Sequence, residues 1–333
     1  MNIDKHVALP VLEAFLKAIN FLSEEEQVLS VTTPGEGNMN VVLRVTTNKR
    51  SVIAKQSRPF VQKYQDIPAP IERIGVEHAF YKTLVQTKGE VKPSNVLAYV
   101  PSIIAYSELH HLLLLEDLGA GEDLTLLYQK RAIPVPLIHQ LTQLAQGIHT
   151  TPVSKTYPAN TELKALNHQH IFVLPFLEDN GFSLDTIQVG LEALARPYKQ
   201  NAPLKKTIET LGKRYLALGE VLIHGDYYPG SWMQRGEEVF LLDPEFSCRG
   251  FAEFDIGVMA AHVLLITGEL QQLQEVFAAY SGVLDVSLAK QIAGVEVMRR
   301  LIGLAQLPLE RSLEEKATLL EQAALLLKPS ILM

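Results

Sequence analysis

The sequence predicts an α+β fold of two lobes, a smaller N-terminal lobe built on an antiparallel β-sheet and a larger helical C-terminal lobe. Three observations predict it. The hydrophobic period changes from helical to strand-like soon after the start, a segment rich in glycine and acid follows the last strand-like run, and helical periods dominate beyond it. With 333 residues, 47% hydrophobic and 20% charged, the chain has apolar material for a sizeable core and too little charge for disorder.

Leu9, Leu12, Phe15, Leu16 and Ile19 recur at helical spacing, so the chain opens with an amphipathic helix. Residues 28–31, 41–45 and 51–55 are short β-branched runs separated by Pro-Gly-Glu-Gly-Asn and Thr-Asn-Lys, which read as the turns of a meander. Residues 72–84 read as a helix, and 103–107 with 112–115 as two more strands around a turn at 108–110. The sum is a sheet of about five strands with one packed helix. The segment Glu116-Asp117-Leu118-Gly119-Ala120-Gly121 reads as a hinge, which divides the chain into lobes 1–117 and 118–333. From 137 onward helical periods are broken only by 224–231 and a strand at 239–242. Ser312 with Glu315 forms a capping box that opens a leucine-rich helix running to about 328.

The 30 Lys and Arg against 37 Asp and Glu give a net charge of -7, the wrong sign for gripping phosphate backbones, so no nucleic-acid partner is expected. The single cysteine, Cys248, cannot form an internal disulfide and fits a reducing compartment. The N-terminal residues lack a signal-peptide pattern, and the most apolar stretch, 258–266, is interrupted by His262 and far shorter than the roughly 20 residues that cross a bilayer. A cytoplasmic protein without a membrane partner is expected; the oligomeric state, a homodimer included, is left open.

The most informative stretch is 221–232, VLIHGDYYPGSW, followed by FLLDPEF at 240–246. Each begins with an apolar run that delivers an acid into a loop, where a charge is held rigidly yet within reach of a substrate. Asp226 would orient or deprotonate an attacking hydroxyl, and Asp243 with Glu245 would hold a divalent cation bridging phosphate oxygens. That is the layout of phosphoryl transfer from ATP with Mg²⁺. In the first lobe, Gly37, Asn38 and Asn40 lie in a glycine-bearing turn whose backbone amides can approach phosphates. Lys55 ends an apolar strand and can reach the α- and β-phosphates; Glu77, on the next helix, can pair with it. Backbone groups from Glu116 to Leu118 can bond adenine.

Other residues read as structural. Asp255 opens a helix and is expected to cap it or bond locally, His224 to buttress its loop, and Trp232 and Cys248 to pack in the core. His110 and His111, in a hairpin turn, lack acidic neighbours at ligand spacing. By spacing alone Arg299 and Arg300 read as surface charges, and adjacent helical residues point about 100° apart, so at most one would face a pocket squarely.

The order of glycine-rich turn, Lys55, hinge, His224-Gly225-Asp226 and Asp243-Pro244-Glu245 resembles the aminoglycoside phosphotransferase and choline kinase superfamily, and within it the methylthioribose kinases. Residues 36–40, 53–56, 115–118, 243–257 and 298–305 carry the likeness, which spans nearly the whole chain. It implies a protein kinase-like fold and an ATP-dependent kinase that phosphorylates a hydroxyl of a small molecule, 5-methylthioribose or a related sugar. By position, Asp226 is then the catalytic aspartate, Asp243 and Glu245 the metal pair, Ser231 a further metal-site residue where most of the superfamily has a metal-binding Asn, and Arg299 and Arg300 the arginine pair of the acceptor pocket. Tyr227, Tyr228 and Pro229 stand where methylthioribose kinases typically read Leu-His-Thr, which puts Tyr228 on the acceptor side. The alternatives are another acceptor, such as an aminoglycoside, amino alcohol or fructosamine, or a non-catalytic nucleotide-binding module.

Overall fold

The computed structural model of the chain describes residues 1–35, 39–86 and 95–328. Helix α1 (Leu9–Ala18) precedes strands β1 (Val28–Thr32), β2 (Val41–Thr47) and β3 (Ser51–Gln56), which form the expected meander. A short hairpin, β4 (Phe60–Val61) and β5 (Tyr64–Pro68), leads into α2 (Arg73–Gln86), and strands β6 (Ile103–Ser107) and β7 (Leu112–Glu116) complete the sheet. Its order is β1-β2-β3-β7-β6, all antiparallel, so the last hairpin returns through β7 to lie beside β3 and leaves β6 at the edge.

Two helices pack on this sheet rather than the expected one, and strand alternation explains how. Val52, Ala54, Leu112 and Leu114 share a cluster with Leu12 and Leu16 of α1. Leu113 and Leu115 point the other way, into a cluster with Ile74, Phe80 and Tyr81 of α2 that continues into the helical lobe. Both faces of β7 are covered, which is why it reads as an unbroken leucine run. The same alternation turns Lys55, paired with Leu113, toward α2 and away from α1.

Beyond Glu116 the chain forms β8 (Glu122–Asp123), α3 (Leu127–Lys130), α4 (Val135–His149), α5 (Thr161–His168), α6 (Leu191–Lys199) and α7 (Ala202–Leu216). Then come β9 (Val221–Ile223), β10 (Trp232–Arg235), β11 (Glu238–Leu241) and β12 (Cys248–Gly250), followed by α8 (Ala252–Thr267), α9 (Gln272–Ala279), α10 (Val286–Ile302) and α11 (Leu313–Leu326). Helix α8 is buried almost throughout and packs on α10, which packs on α11. The capping box at Ser312 and Glu315 is present. Strand β11 matches the one strand expected in this lobe, and β8, β9, β10 and β12 add to it; each of these has two to four residues, too few to show alternation. Among the described residues no helix is long and apolar enough to cross a membrane.

Strands β9 and β12 pair, with Ile223 opposite Cys248, and the loop leaving β9 turns sharply at Gly225, whose φ is +84°. A Cβ there would sit 2.3 Å from the Phe246 carbonyl oxygen. Gly225→Ala is therefore expected to destabilise the fold by roughly 1–3 kcal/mol; an unchanged thermal midpoint would contradict this packing.

Candidate functional site

Lys55 is buried, and its Nζ lies 2.7 Å from both Glu77 carboxylate oxygens and 2.6 Å from Asp243 Oδ1. One ammonium thus joins β3, α2 and the acidic turn of the helical lobe. Burial opposes its charge, but the Asp243 and Glu77 carboxylates more than offset that and hold the ammonium protonated, above its ordinary range.

Asp226 follows β9 in a loop that is braced from below. Asp255 accepts the backbone N–H groups of His224 at 2.7 Å and Gly225 at 2.9 Å, and His149 Nε2 lies 3.1 Å from it. It braces the loop instead of capping α8, whose first turn holds it. His224 Nε2 donates to the Leu242 carbonyl at 2.9 Å, which leaves Nδ1 facing the Asp226 N–H at 3.4 Å. Burial keeps this imidazole below its usual pKa and hence neutral, a buttress as expected. Burial also pushes the Asp226 carboxyl up to about 6, against the pull of Arg300 and Arg299. Ser231 is buried, and its hydroxyl donates to the Asp226 carbonyl at 2.8 Å. Trp232 and Cys248 are core residues.

Mg²⁺ takes oxygen ligands, commonly one or two carboxylates with phosphates and water completing the shell. Asp243 fits this: it sits in the left-handed region at φ +61°, and its side chain is 52% exposed to the cleft. Glu245, expected beside it, turns under the turn instead. There its Oε2 accepts Asn40 Nδ2 at 2.8 Å and lies 3.3 Å from Arg73 Nε, and burial pushes the carboxyl up to about 8. Arg73 also donates to the carbonyls of Arg58 (2.6 Å), Pro70 (2.8 Å), Met39 (2.6 Å) and Phe60 (3.2 Å), so it ties the glycine-bearing turn to the acidic turn. Among the described residues no three His, Cys, Asp or Glu side chains converge on a metal position. Gly37 and Asn38 lie outside the described residues.

The cleft between the lobes is lined by Gly35, Val42, Ile53, Lys55, Glu116, Leu118, Met233 and Asp243, among others. At the hinge, the Glu116 N–H is spent on the Ser102 carbonyl at 2.9 Å and Arg235 donates to the Leu118 carbonyl at 3.0 Å. Arg44 of β2 grips Asp117 with two bonds of 2.8 and 2.9 Å, and the Ser51 hydroxyl adds a third at 2.6 Å. Arg44 and Arg73 carried no sequence signal, because the acids they pair with, Asp117 and Glu245, are far away in the chain.

On the other side of Asp226, Arg299 and Arg300 are buried, which overturns the surface reading. Both bond through Nε to Glu296, one turn back, Arg300 at 2.8 Å. The Arg300 guanidinium lies 4.9 Å over the Tyr228 ring, whereas Tyr227 points into the core and donates to the Leu141 carbonyl at 2.6 Å. Both arginines draw the Asp226 carboxyl downward. Glu296 went unread although its i, i+3 and i+4 spacing to the arginines was visible.

The profile of the phosphotransferase enzyme family (APH) matches residues 30–289. The methylthioribose kinase of Exiguobacterium sibiricum is 28% identical over 244 residues, 69% of this chain and 59% of that protein. The methylthioribose kinase of Geobacillus kaustophilus is 26% identical over 321 residues, covering 81% of this chain and 78% of that one. The chain thus spans less than two thirds of the first of these relatives. Among solved structures, a choline/ethanolamine kinase family protein from Mesorhizobium loti superposes with a TM-score of 0.54 at 14% identity, covering 96% of this chain and 95% of that one. A spectinomycin phosphotransferase in complex with ADP and spectinomycin gives 0.54 at 12% identity, covering 97% and 98%. These likenesses show the kinase-like α+β fold, and with the profile matched across well over half of its length, this chain belongs to the phosphotransferase enzyme family.

Proposed function

We propose that this protein is an ATP-dependent small-molecule kinase of the cytoplasm, with lobes 1–117 and 118–333, and that its acceptor is 5-methylthioribose or a related sugar. The observation that carries the reading is the cleft itself: Lys55, held between Glu77 and Asp243, on one side of a braced loop, and Asp226 with a buried arginine pair on the other. The curated relatives named methylthioribose kinase support the choice of acceptor.

In this mechanism Lys55 binds the α- and β-phosphates while the hinge from Glu116 to Leu118 meets the base. Asp226 orients the acceptor hydroxyl and takes its proton as the oxygen bonds the γ-phosphorus and the bond to the β-phosphate oxygen breaks, leaving ADP. Asp243 would hold Mg²⁺, which when bound neutralises phosphate charge. Arg299, Arg300 and Tyr228 shape the acceptor side. Two buried guanidinia balance the carboxylates of Glu296 and Asp226, so no surplus negative charge is left there to favour a cationic acceptor.

ADP release measured with Mg-ATP across 5-methylthioribose, spectinomycin, choline and a fructosamine tests this. The expected result is turnover with 5-methylthioribose at a kcat/KM at least about 10²-fold above the cationic acceptors. A higher value for any cationic acceptor would overturn the acceptor assignment, and nucleotide binding without transfer to any of them would favour a non-catalytic module.

A further inference from the structure

Glu296 is only 1% exposed and therefore beyond the reach of any acceptor, yet four side chains are organised around it. Arg299 Nε bonds its Oε2, and Arg300 Nε lies 2.8 Å from its Oε1. His262 of α8 places Nε2 3.0 Å from the same Oε1, and its Nδ1 is 2.6 Å from the Tyr128 hydroxyl of α3.

The chemistry of these groups sets the direction of each bond. Burial and the two neighbouring arginines push the His262 imidazole down to about 4, so the ring is neutral and carries one N–H. A carboxylate only accepts, so that hydrogen is on Nε2; Nδ1 is then bare and accepts from Tyr128. Tyr128 donates to His262, His262 donates to Glu296, and Glu296 receives both guanidinia.

Two adjacent arginines on a helix would otherwise diverge by about 100° and repel each other. A shared carboxylate at i-3 and i-4 draws both to one side and uses only their Nε edges. One Arg300 terminal nitrogen contacts the Ala305 carbonyl at 3.4 Å, and the guanidinium is seated on Tyr228. Four elements of the lobe therefore converge on how two cations stand beside Asp226.

We infer that Glu296, oriented through Tyr128 and His262, is the positioning residue of the acceptor pocket: it fixes Arg299 and Arg300 beside Asp226 without touching the acceptor. The kinetic half of this inference rests on the proposed kinase reading; the structural half does not.

Full-length wild type and Glu296→Gln, labelled with 15N-arginine, are compared, with Arg299→Lys and Arg300→Lys supplying the assignments. Two exchange-protected Nε–H signals are expected in wild type, and in the variant at least one of them, that of the arginine facing the new amide NH2, is lost. With 5-methylthioribose as acceptor, its kcat/KM should fall about 10²-fold, while KM for ATP and Kd for Mg-ADP stay within about twofold. Persistence of both protected Nε–H signals in Glu296→Gln, or an ATP KM that moves in step with the acceptor, would overturn the inference. Wild type that leaves 5-methylthioribose untouched would sink the acceptor assignment alone, and the Nε–H signals would still decide the role of Glu296. Should Glu296→Gln not fold, Tyr128→Phe removes one hydroxyl only. The His262 Nδ1 15N shift should then move because its hydrogen-bond donor is gone, while Nε2 stays protonated against Glu296, and an unchanged Nδ1 shift would count against the chain of donors.

Discussion

Asp226→Asn is expected to lower kcat by about 10²–10⁴-fold, the range for losing a positioned general base, with Mg-ADP affinity unchanged. The nucleotide contacts assigned to Lys55 and the hinge lie elsewhere in the cleft, so the loss should appear in transfer and not in binding. Asp226 works ionised, and its carboxyl is pushed up to about 6 chiefly by burial, with Arg300 and Arg299 pulling it down and Glu296 and Asp243 pushing it up. The wild-type rate should therefore rise with pH through about 6, and the variant should lack that limb. The stability linkage runs the opposite way. A carboxyl whose folded pKa exceeds its unfolded value binds more protons when folded, so its contribution to stability falls as pH climbs from the unfolded value to about 6. At neutral pH Asp226→Asn should thus melt no lower than wild type. A variant that loses turnover and also melts much earlier would show that the loop had collapsed and would not support a catalytic role.

Lys55→Met should be the most damaging single change to fold and function together. Lys55 is 3% exposed and Glu77 is fully buried, so removing the ammonium strands a buried carboxylate, at a cost of roughly 3–5 kcal/mol. Asp243, half exposed, adds little because water screens it. Turnover should fall with it, since among the described residues no other cation of the first lobe reaches the Asp243 turn through a 2.6 Å contact. The double variant Lys55→Met, Glu77→Gln separates the two effects. It should recover much of the thermal stability without recovering transfer, and recovery of both would reduce Lys55 to a structural ion pair.

Several elements were legible because their physics is local. A helical period announces α1 and α2, alternation and turn residues announce β1 to β3, and the capping box announces α11. An apolar run ending in an acid announces Asp226 and Asp243, since a strand end is how a fold presents a charge. The short strands β8, β9, β10 and β12 escaped because two to four residues are stabilised by their partners and not by any period of their own. Asp255 was read as a structural acid, but its role as the brace of His224 and Gly225 depends on a neighbour 31 residues away.

The site divides along the same line. By itself the sequence determined which side chains to propose for the chemistry and on which side of the hinge segment they sit: Lys55 and Glu77 before it, Asp226, Ser231, Asp243 and Glu245 after it. Only the tertiary structure decided how they are used. It brought Lys55 to Asp243 across 188 residues and sent Glu245 under the turn to Asn40, 205 residues away, and to Arg73. It also buried Arg299 and Arg300 around Glu296. The physical reason is that a buried charge must find its counter-charge wherever the fold places one, and that search runs through space, where spacing along the chain carries no record of it.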